Sequence, residues 1–288
     1  RSLKLPSSMR TTARRSQSAC WAALLLLLIG GCREPGEETV MPVELSPSAA
    51  PPSADVPIVE QLTVRVVDRT PHAEDAFTQG LLWHDGLLYE STGRYGASSL
   101  RRVRLDDGRV LAERDLDSRF FGEGLARVDD RLVQLTWRSG IAVVSDLRTL
   151  QRRDSLRYQG EGWGLCHDGD ELVMSDGSSM LEFRDPVTFE SLREMTVWNG
   201  RRAVRNLNEL ECVGDEIYAN VWQSDEIVRI DAKTGRVTAV IDASGLLSPE
   251  EAARADVLNG IAYKPETNTF LLTGKLWPHV FEVELVPR

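Results

Sequence analysis

The stretch that decides the fold is GEGLARVDDRLVQLTWRSG, residues 122–140, in which a short apolar run after Gly122-Glu123-Gly124-Leu125 turns and returns as a second run. Four other stretches repeat its plan: FTQGLLWHDGLLYESTG (77–93), GWGLCHDGDELVMSDGSS (162–179), LNELECVGDEIYANVWQSD (207–225) and LNGIAYKPETNTFLLTGK (258–275). With Gly80, Gly124, Gly164, Leu210 and Gly260 taken as equivalent, the steps are 44, 40, 46 and 50 residues. Apolar residues alternate with a period of two, and pairs such as Asp85-Gly86, Asp107-Gly108, Asp168-Gly169, Gly214-Asp215 and Thr234-Gly235 separate the runs, the pattern of antiparallel strands. Such periods, with about four strands each, predict an all-β, five-bladed β-propeller.

Between the repeats lies a second hairpin each time: SLRRVRLDDGRVLAERDL, IAVVSDLRTLQRRDSLR, MLEFRDPVTFESLREMTV and EIVRIDAKTGRVTAVIDA. After the fifth repeat only HVFEVELV remains, so the last blade lacks a strand. LTVRVVD, Leu62 to Asp68, is expected to supply it, pairing the two chain ends and removing an exposed sheet edge. A helical turn fits only at Ser248 to Ala255, where Ser248 and Glu251 form a capping box and Pro249 takes the first helical position.

Outward from the repeats, residues 1–31 read as a leader. Arg10, Arg14 and Arg15 precede the apolar run Ala22 to Ile29, too short to span a bilayer but right for a signal sequence. Met9 is the expected start of translation. Gly30-Gly31-Cys32 after that run resembles a bacterial lipobox, with Cys32 acylated; the alternative is a plain secretory signal with a chance Cys. Arg33 after Cys32 points to the outer membrane. Residues 32–60, rich in Pro, Ser, Ala and Glu, are expected to be a disordered tether with a reach on the order of 30 Å. The expectation is therefore an exported domain, residues 61–288, at the periplasmic face, touching a membrane only through its lipid.

The chain has 34 Lys plus Arg against 44 Asp plus Glu. Arg1, Lys4, Arg10, Arg14 and Arg15 fall in the acid-free leader, so the remainder carries −15. Such a domain lacks the cationic field that nucleic acid requires. No CxxC, HExxH, GxSxG, GxGxxG or P-loop occurs, and no cofactor or metal is implied.

In a propeller the starts of the inner strands converge on one mouth of the channel, where ligands bind. Phe77, Gln79, Glu123, Trp137, Trp163, Asn208, Glu209, Trp222, Lys275 and Trp277 collect in those segments. Each Trp has packing between blades as an equal alternative. Glu209 and Glu211 are read as structural, paired with arginines such as Arg205. Cys166 and Cys212 stand at equivalent points of repeats three and four; a disulfide and two buried thiols are both open.

The motifs Phe77-Thr78-Gln79-Gly80, Glu90-Ser91-Thr92-Gly93, Gly122-Glu123-Gly124-Leu125, Gly162-Trp163-Gly164-Leu165, Leu207-Asn208-Glu209-Leu210-Glu211, Asn220-Val221-Trp222 and Thr273-Gly274-Lys275, with Trp137, resemble the plant and bacterial type of glutaminyl-peptide cyclotransferase across residues 62 to 286. The resemblance implies conversion of an N-terminal glutamine of peptides or proteins to pyroglutamate with release of ammonia; separately, a monomer is expected. It implies Glu123 as proton shuttle, Asn208 and Gln79 as hydrogen-bonding groups, and Phe77, Trp137, Trp163 and Trp222 as pocket walls. Lys275 would either polarise the γ-carbonyl or pair with Glu123. Two rival readings are a non-catalytic propeller that binds peptides or scaffolds the envelope, and a metal-dependent hydrolase of the lactonase kind.

Overall fold

The computed structural model of the protein describes residues 58–288. The leader, the lipidation motif at Cys32 and nearly all of the tether lie outside them.

Three four-stranded antiparallel meanders follow one another along the chain. The first comprises β2 (Thr78–His84), β3 (Leu87–Thr92), β4 (Ser99–Arg104) and β5 (Arg109–Asp115). The second comprises β6 (Gly122–Val128), β7 (Arg131–Thr136), β8 (Ile141–Asp146) and β9 (Arg152–Arg157). The third comprises β10 (Leu165–His167), β11 (Leu172–Ser175), β12 (Met180–Arg184) and β13 (Ser191–Thr196). A small hairpin, β14 (Trp198–Asn199) and β15 (Arg202–Ala203), precedes the fourth meander of β16 (Leu207–Val213), β17 (Glu216–Val221), β18 (Glu226–Asp231) and β19 (Val237–Asp242). The last strands are β20 (Leu258–Lys264), β21 (Thr269–Gly274) and β22 (His279–Pro287). The helix α1, Pro249–Ala252, starts at Ser248 with both bonds of the expected capping box made.

The N-terminal strand β1 (Glu60–Pro71) pairs antiparallel with β22 from Leu62 opposite Pro287 to Pro71 opposite His279. It completes the last meander, as the edge argument requires. It also does something the sequence pattern had not suggested: Glu60 to Thr63 pair in parallel with Ala239 to Asp242 of β19. One eight-stranded sheet results, in the order β16-β17-β18-β19-β1-β22-β21-β20. The first described strand starts at Glu60, and Val59 packs on the core.

The innermost strands β2, β6, β10, β16 and β20 each contact the next, and β20 contacts β2. Apolar side chains fill the space between successive sheets: Tyr89, Leu100, Leu125 and Leu132 between the first and second, Leu81, Leu88, Ala262 and Leu271 between the last and first. Glycine is required where inner strands meet. A Cβ on Gly124 would lie 2.5 Å from the Leu165 nitrogen, and one on Gly164 would lie 1.9 Å from the Asn208 carbonyl oxygen. Only a residue without a side chain permits that approach.

Two buried devices tie the inner strands further. Cys166 on β10 and Cys212 on β16 form a disulfide, with Cα atoms 5.5 Å apart and a sequence separation of 46. By loop entropy such a closure is worth about 4 kcal/mol. Among the described residues no arginine pairs with Glu209 or Glu211, contrary to the sequence reading, and Arg205 is exposed. The Glu209 carboxyl accepts the backbone N–H groups of Leu81 (3.1 Å) and Ile261 (2.8 Å), and Glu211 accepts that of Tyr263 (2.8 Å). The backbone amides of strands β2 and β20 that these acids satisfy are not visible in the sequence pattern.

Candidate active site

Four inner strands break register at equivalent points. The ladders shift between Thr78 and Gly80, between Gly122 and Leu125, between Leu207 and Leu210, and between Leu258 and Ile261. The residues inside these bulges are Gln79, Glu123 with Gly124, Asn208 with Glu209, and Asn259 with Gly260. A bulge leaves a residue unpaired and re-aims its side chain. That is how strands built for alternation turn Gln79, Glu123 and Asn208 into one cavity. Lys275 follows β21, and the next residue, Leu276, holds a left-handed φ of 61° while its N–H donates to the Ala76 carbonyl at 2.7 Å. Such a conformation in a leucine persists only where its surroundings impose it.

All eight residues expected at the site line one cavity of about 620 Å³: Phe77, Gln79, Glu123, Trp137, Trp163, Asn208, Trp222 and Lys275. Phe121, Arg138, Glu161, Gln223, Asp256 and Val257 complete the lining. Trp277 does not belong to it. That indole is 4% exposed, packs in the core beside Phe281, and donates to the Asp256 carbonyl at 2.9 Å. Lying close over Gly274, where it would meet any Cβ, it realises the packing alternative that every Trp carried.

The aromatic wall comes in two arcs. Phe77, Phe121 and Trp137 meet edge to face or tilted, with centroids 6.2 and 5.6 Å apart. Trp163 and Trp222 make a T-shaped pair at 5.5 Å. Glu161 lies between the arcs: its Oε2 accepts from Nε1 of Trp137 at 2.7 Å and from Nε1 of Trp163 at 3.1 Å. Sequence reasoning passed over Glu161, which sits in a polar connection outside the repeated segments.

The polar groups are ordered from behind. Asn259 donates to the Thr78 carbonyl (3.0 Å) and to Oε1 of Gln79 (3.3 Å), which leaves the Gln79 amide nitrogen as the donor toward Glu123. Thr78 in turn donates to Glu90 at 2.7 Å, and Glu90 pairs with His72 at 2.9 Å. Ser175 Oγ donates to the Asn208 carbonyl at 2.6 Å, fixing that bulge from β11. Gln79, Glu123, Asn208 and Lys275 are each under a tenth exposed.

Burial pushes the Glu123 carboxyl well above the usual carboxylate range; the Lys275 charge opposes the shift and Glu161 adds to it. Burial also lowers the Lys275 ammonium, against the pull of Glu123 and Asp256. Among the described residues no cation lies within 4.0 Å of the Glu123 carboxyl, so the two charges influence each other without direct contact. Both groups are drawn toward neutral pH, where proton transfer is easiest. Burial pushes the Glu161 carboxyl up as well, yet the hydrogen bonds from Trp163, Arg138 and Trp137 outweigh it and hold the group below its ordinary value, hence ionised. Among the described residues no group of three or more His, Cys, Asp or Glu gathers that could hold a metal ion. A carboxyl, an amine and fixed amide donors in an aromatic cavity suit proton transfer to and from a small bound carboxamide.

The Arabidopsis thaliana glutaminyl-peptide cyclotransferase is 42% identical over 228 residues, which are 77% of this chain and 71% of that one. The crystal structure of Myxococcus xanthus glutaminyl cyclase superposes with a TM-score of 0.73 at 39% identity, covering 80% of this chain and all of the other. The family model described as glutamine cyclotransferase matches residues 39–285. With that match over most of its length, the chain belongs to the glutamine cyclotransferase family.

Proposed function

We propose that this protein is a glutaminyl-peptide cyclotransferase that converts the N-terminal glutamine of peptides or proteins to pyroglutamate and releases ammonia. The observation that carries the reading is the buried Glu123 carboxyl in the aromatic cavity, hydrogen-bonded by Gln79 and under the charge of Lys275. The α-amine of the substrate attacks its own side-chain carbonyl carbon. A nitrogen to carbon bond forms, the bond from that carbon to the amide nitrogen breaks, and the amine proton ends on the leaving nitrogen as ammonia. Because nucleophile and electrophile belong to one residue, the main task is to hold the folded conformer. Phe77, Trp137, Trp163 and Trp222 wall the slot, and Asn208 offers hydrogen bonds to the carboxamide. Glu123 takes the amine proton and returns it to the leaving amide. Lys275, without a direct partner in Glu123, faces the charge that develops on the γ-oxygen. The reaction is an acyl transfer to an amine, placing the protein among the aminoacyltransferases.

Further features complete the proposal. The chain is a five-bladed propeller in which the eight-stranded sheet counts as two blades, supported by the closed sequence of contacts from β2 through β6, β10, β16 and β20 back to β2. It works as an exported, lipid-anchored monomer at the periplasmic face of the outer membrane, with Cys32 as the acylated residue; the Cys166–Cys212 disulfide supports an oxidising compartment.

Ammonia release from a Gln-initiated dipeptide, measured for the purified domain from Val56 with and without a chelator, tests the activity. Release that resists the chelator and consumes the product's free amine is expected. No release from several Gln peptides would favour a binding propeller, and release abolished by the chelator would favour metal chemistry.

A further inference from the structure

The two aromatic arcs of the cavity belong to different sheets. Trp137 follows β7 of the second meander and Trp163 precedes β10 of the third. Each arc is braced internally by ring contacts, and Trp163 rests on Gly177, where a Cβ would come within 2.7 Å of the indole. No ring contact joins Trp137 to Trp163 among the described residues. Their backbones are linked by the Gly162 N–H donating to the Trp137 carbonyl at 3.0 Å, but that bond leaves both side chains free to turn.

What joins the side chains is one carboxylate. Both indole N–H groups converge on Glu161 Oε2, while its Oε1 takes Nε of Arg138 at 2.7 Å. The Arg138 guanidinium then lies over the Trp137 ring, 3.8 Å from its centroid. Indole N–H is a donor only and has one proton to give, so each ring is pinned at the orientation that reaches Glu161. An ionised acceptor makes such bonds roughly twice as strong as a neutral one would.

We propose that Glu161 is a positioning residue of the site: by clamping Trp137 and Trp163 to one another across two sheets, it sets the width of the aromatic slot before the glutaminyl side chain enters. Arg138 serves as the outer brace of the same clamp. The inference rests on the cyclotransferase reading for its kinetic consequences, although the clamp itself does not depend on it. Its charge has a second effect, because it raises the Glu123 carboxyl across the cavity that both line. The groups around Glu123 are Gln79 from β2, Lys275 after β21, Tyr158 after β9 and Glu161 ahead of β10; of these Glu161 is the anion.

The test compares wild type with Glu161→Ala and Glu161→Gln. The glutamine variant keeps the side chain's length but carries no charge, and its carbonyl oxygen can serve the two indoles only by turning its amide N–H groups toward the Arg138 donor. Both variants should melt near the wild-type temperature, since the backbone link between the sheets is kept. Loss of the charged acceptor should lower kcat/KM by about ten- to a hundredfold. The acid limb of kcat/KM should move to lower pH, because Glu123 no longer has an anion beside it. Tryptophan emission should shift to longer wavelength and depolarise faster as the indoles lose their partner. A kcat/KM within about twofold of wild type, or an acid limb that stays in place, overturns the proposal. A drop in activity that tracks a drop in melting temperature with unchanged emission also overturns it. If wild type itself releases no ammonia, the cyclotransferase reading fails, and the emission and depolarisation of the variants alone decide whether Glu161 holds the two rings.

Discussion

At the scale of single residues, the scheme places the proton traffic on Glu123. Glu123→Gln keeps the size and the burial of the side chain but cannot accept a proton. Its kcat should fall by about 10²- to 10⁴-fold with no loss of thermal stability. Substrate binding should change little, which a comparison of KM and kcat reads directly. The pH profile carries a further expectation. Since burial raises the Glu123 carboxyl, its base form is lost as pH falls through a value well above 4.5. The acid limb of kcat/KM in the wild type should accordingly lie well above the range of an ordinary glutamate.

At the scale of elements, β2 and β6 each perform two tasks within seven residues. In each, a small residue lets the next inner strand approach, and the bulge turns a polar side chain into the cavity. Gly124 shows how little room the first task leaves. A Cβ there meets three backbone atoms of the neighbouring stretch Trp163 to Leu165, at 2.5, 2.6 and 2.7 Å. Gly124→Ala should cost about 1–3 kcal/mol, measured as a lower urea midpoint, with Glu123 displaced and activity lost in proportion. The repeated glycines and the alternation made the strands legible in the sequence, and the same spacing placed Gln79, Glu123 and Asn208 at one mouth. The bulges were not legible, because register is a property of the pair and each strand was read alone. Glu161 was missed for a related reason: a charge in a polar loop has meaning only once two indoles from separate sheets are seen to point at it. Glu209 and Glu211 were read as acids in search of cations, whereas they answer backbone amides of strands more than 50 positions away.

At the scale of the whole molecule, those buried acids make folding depend on pH. Burial pushes Glu211 up to about 8, opposed by the N–H of Tyr263. In the unfolded chain the same group titrates near 4.5. Between the two values the folded protein keeps a proton that the unfolded chain has released, so stability is fully present below about pH 4.5 and declines as pH rises toward 8. Glu209 is shifted in the same direction, again by burial first. The melting temperature should thus decline across this window, and Glu211→Gln should flatten the decline; an unchanged slope in the variant would remove Glu211 as its source.

The strand β1 is held along both flanks, by β22 over nearly its whole length and by β19 at its start. It is also the point where everything ahead of Ile58 connects to the domain. A pull on that leading segment acts along the strand axis, so it loads the ladder to β22 in shear, all bonds together, rather than peeling them one by one. The C-terminal Arg288 reinforces the same corner, its N–H donating to the Gln61 carbonyl at 3.0 Å and its side chain pairing with Asp242 at 3.2 Å. The strand that closes the last sheet is therefore also a mechanical clasp, and a domain held by its N-terminus would resist drag at the place where tension enters.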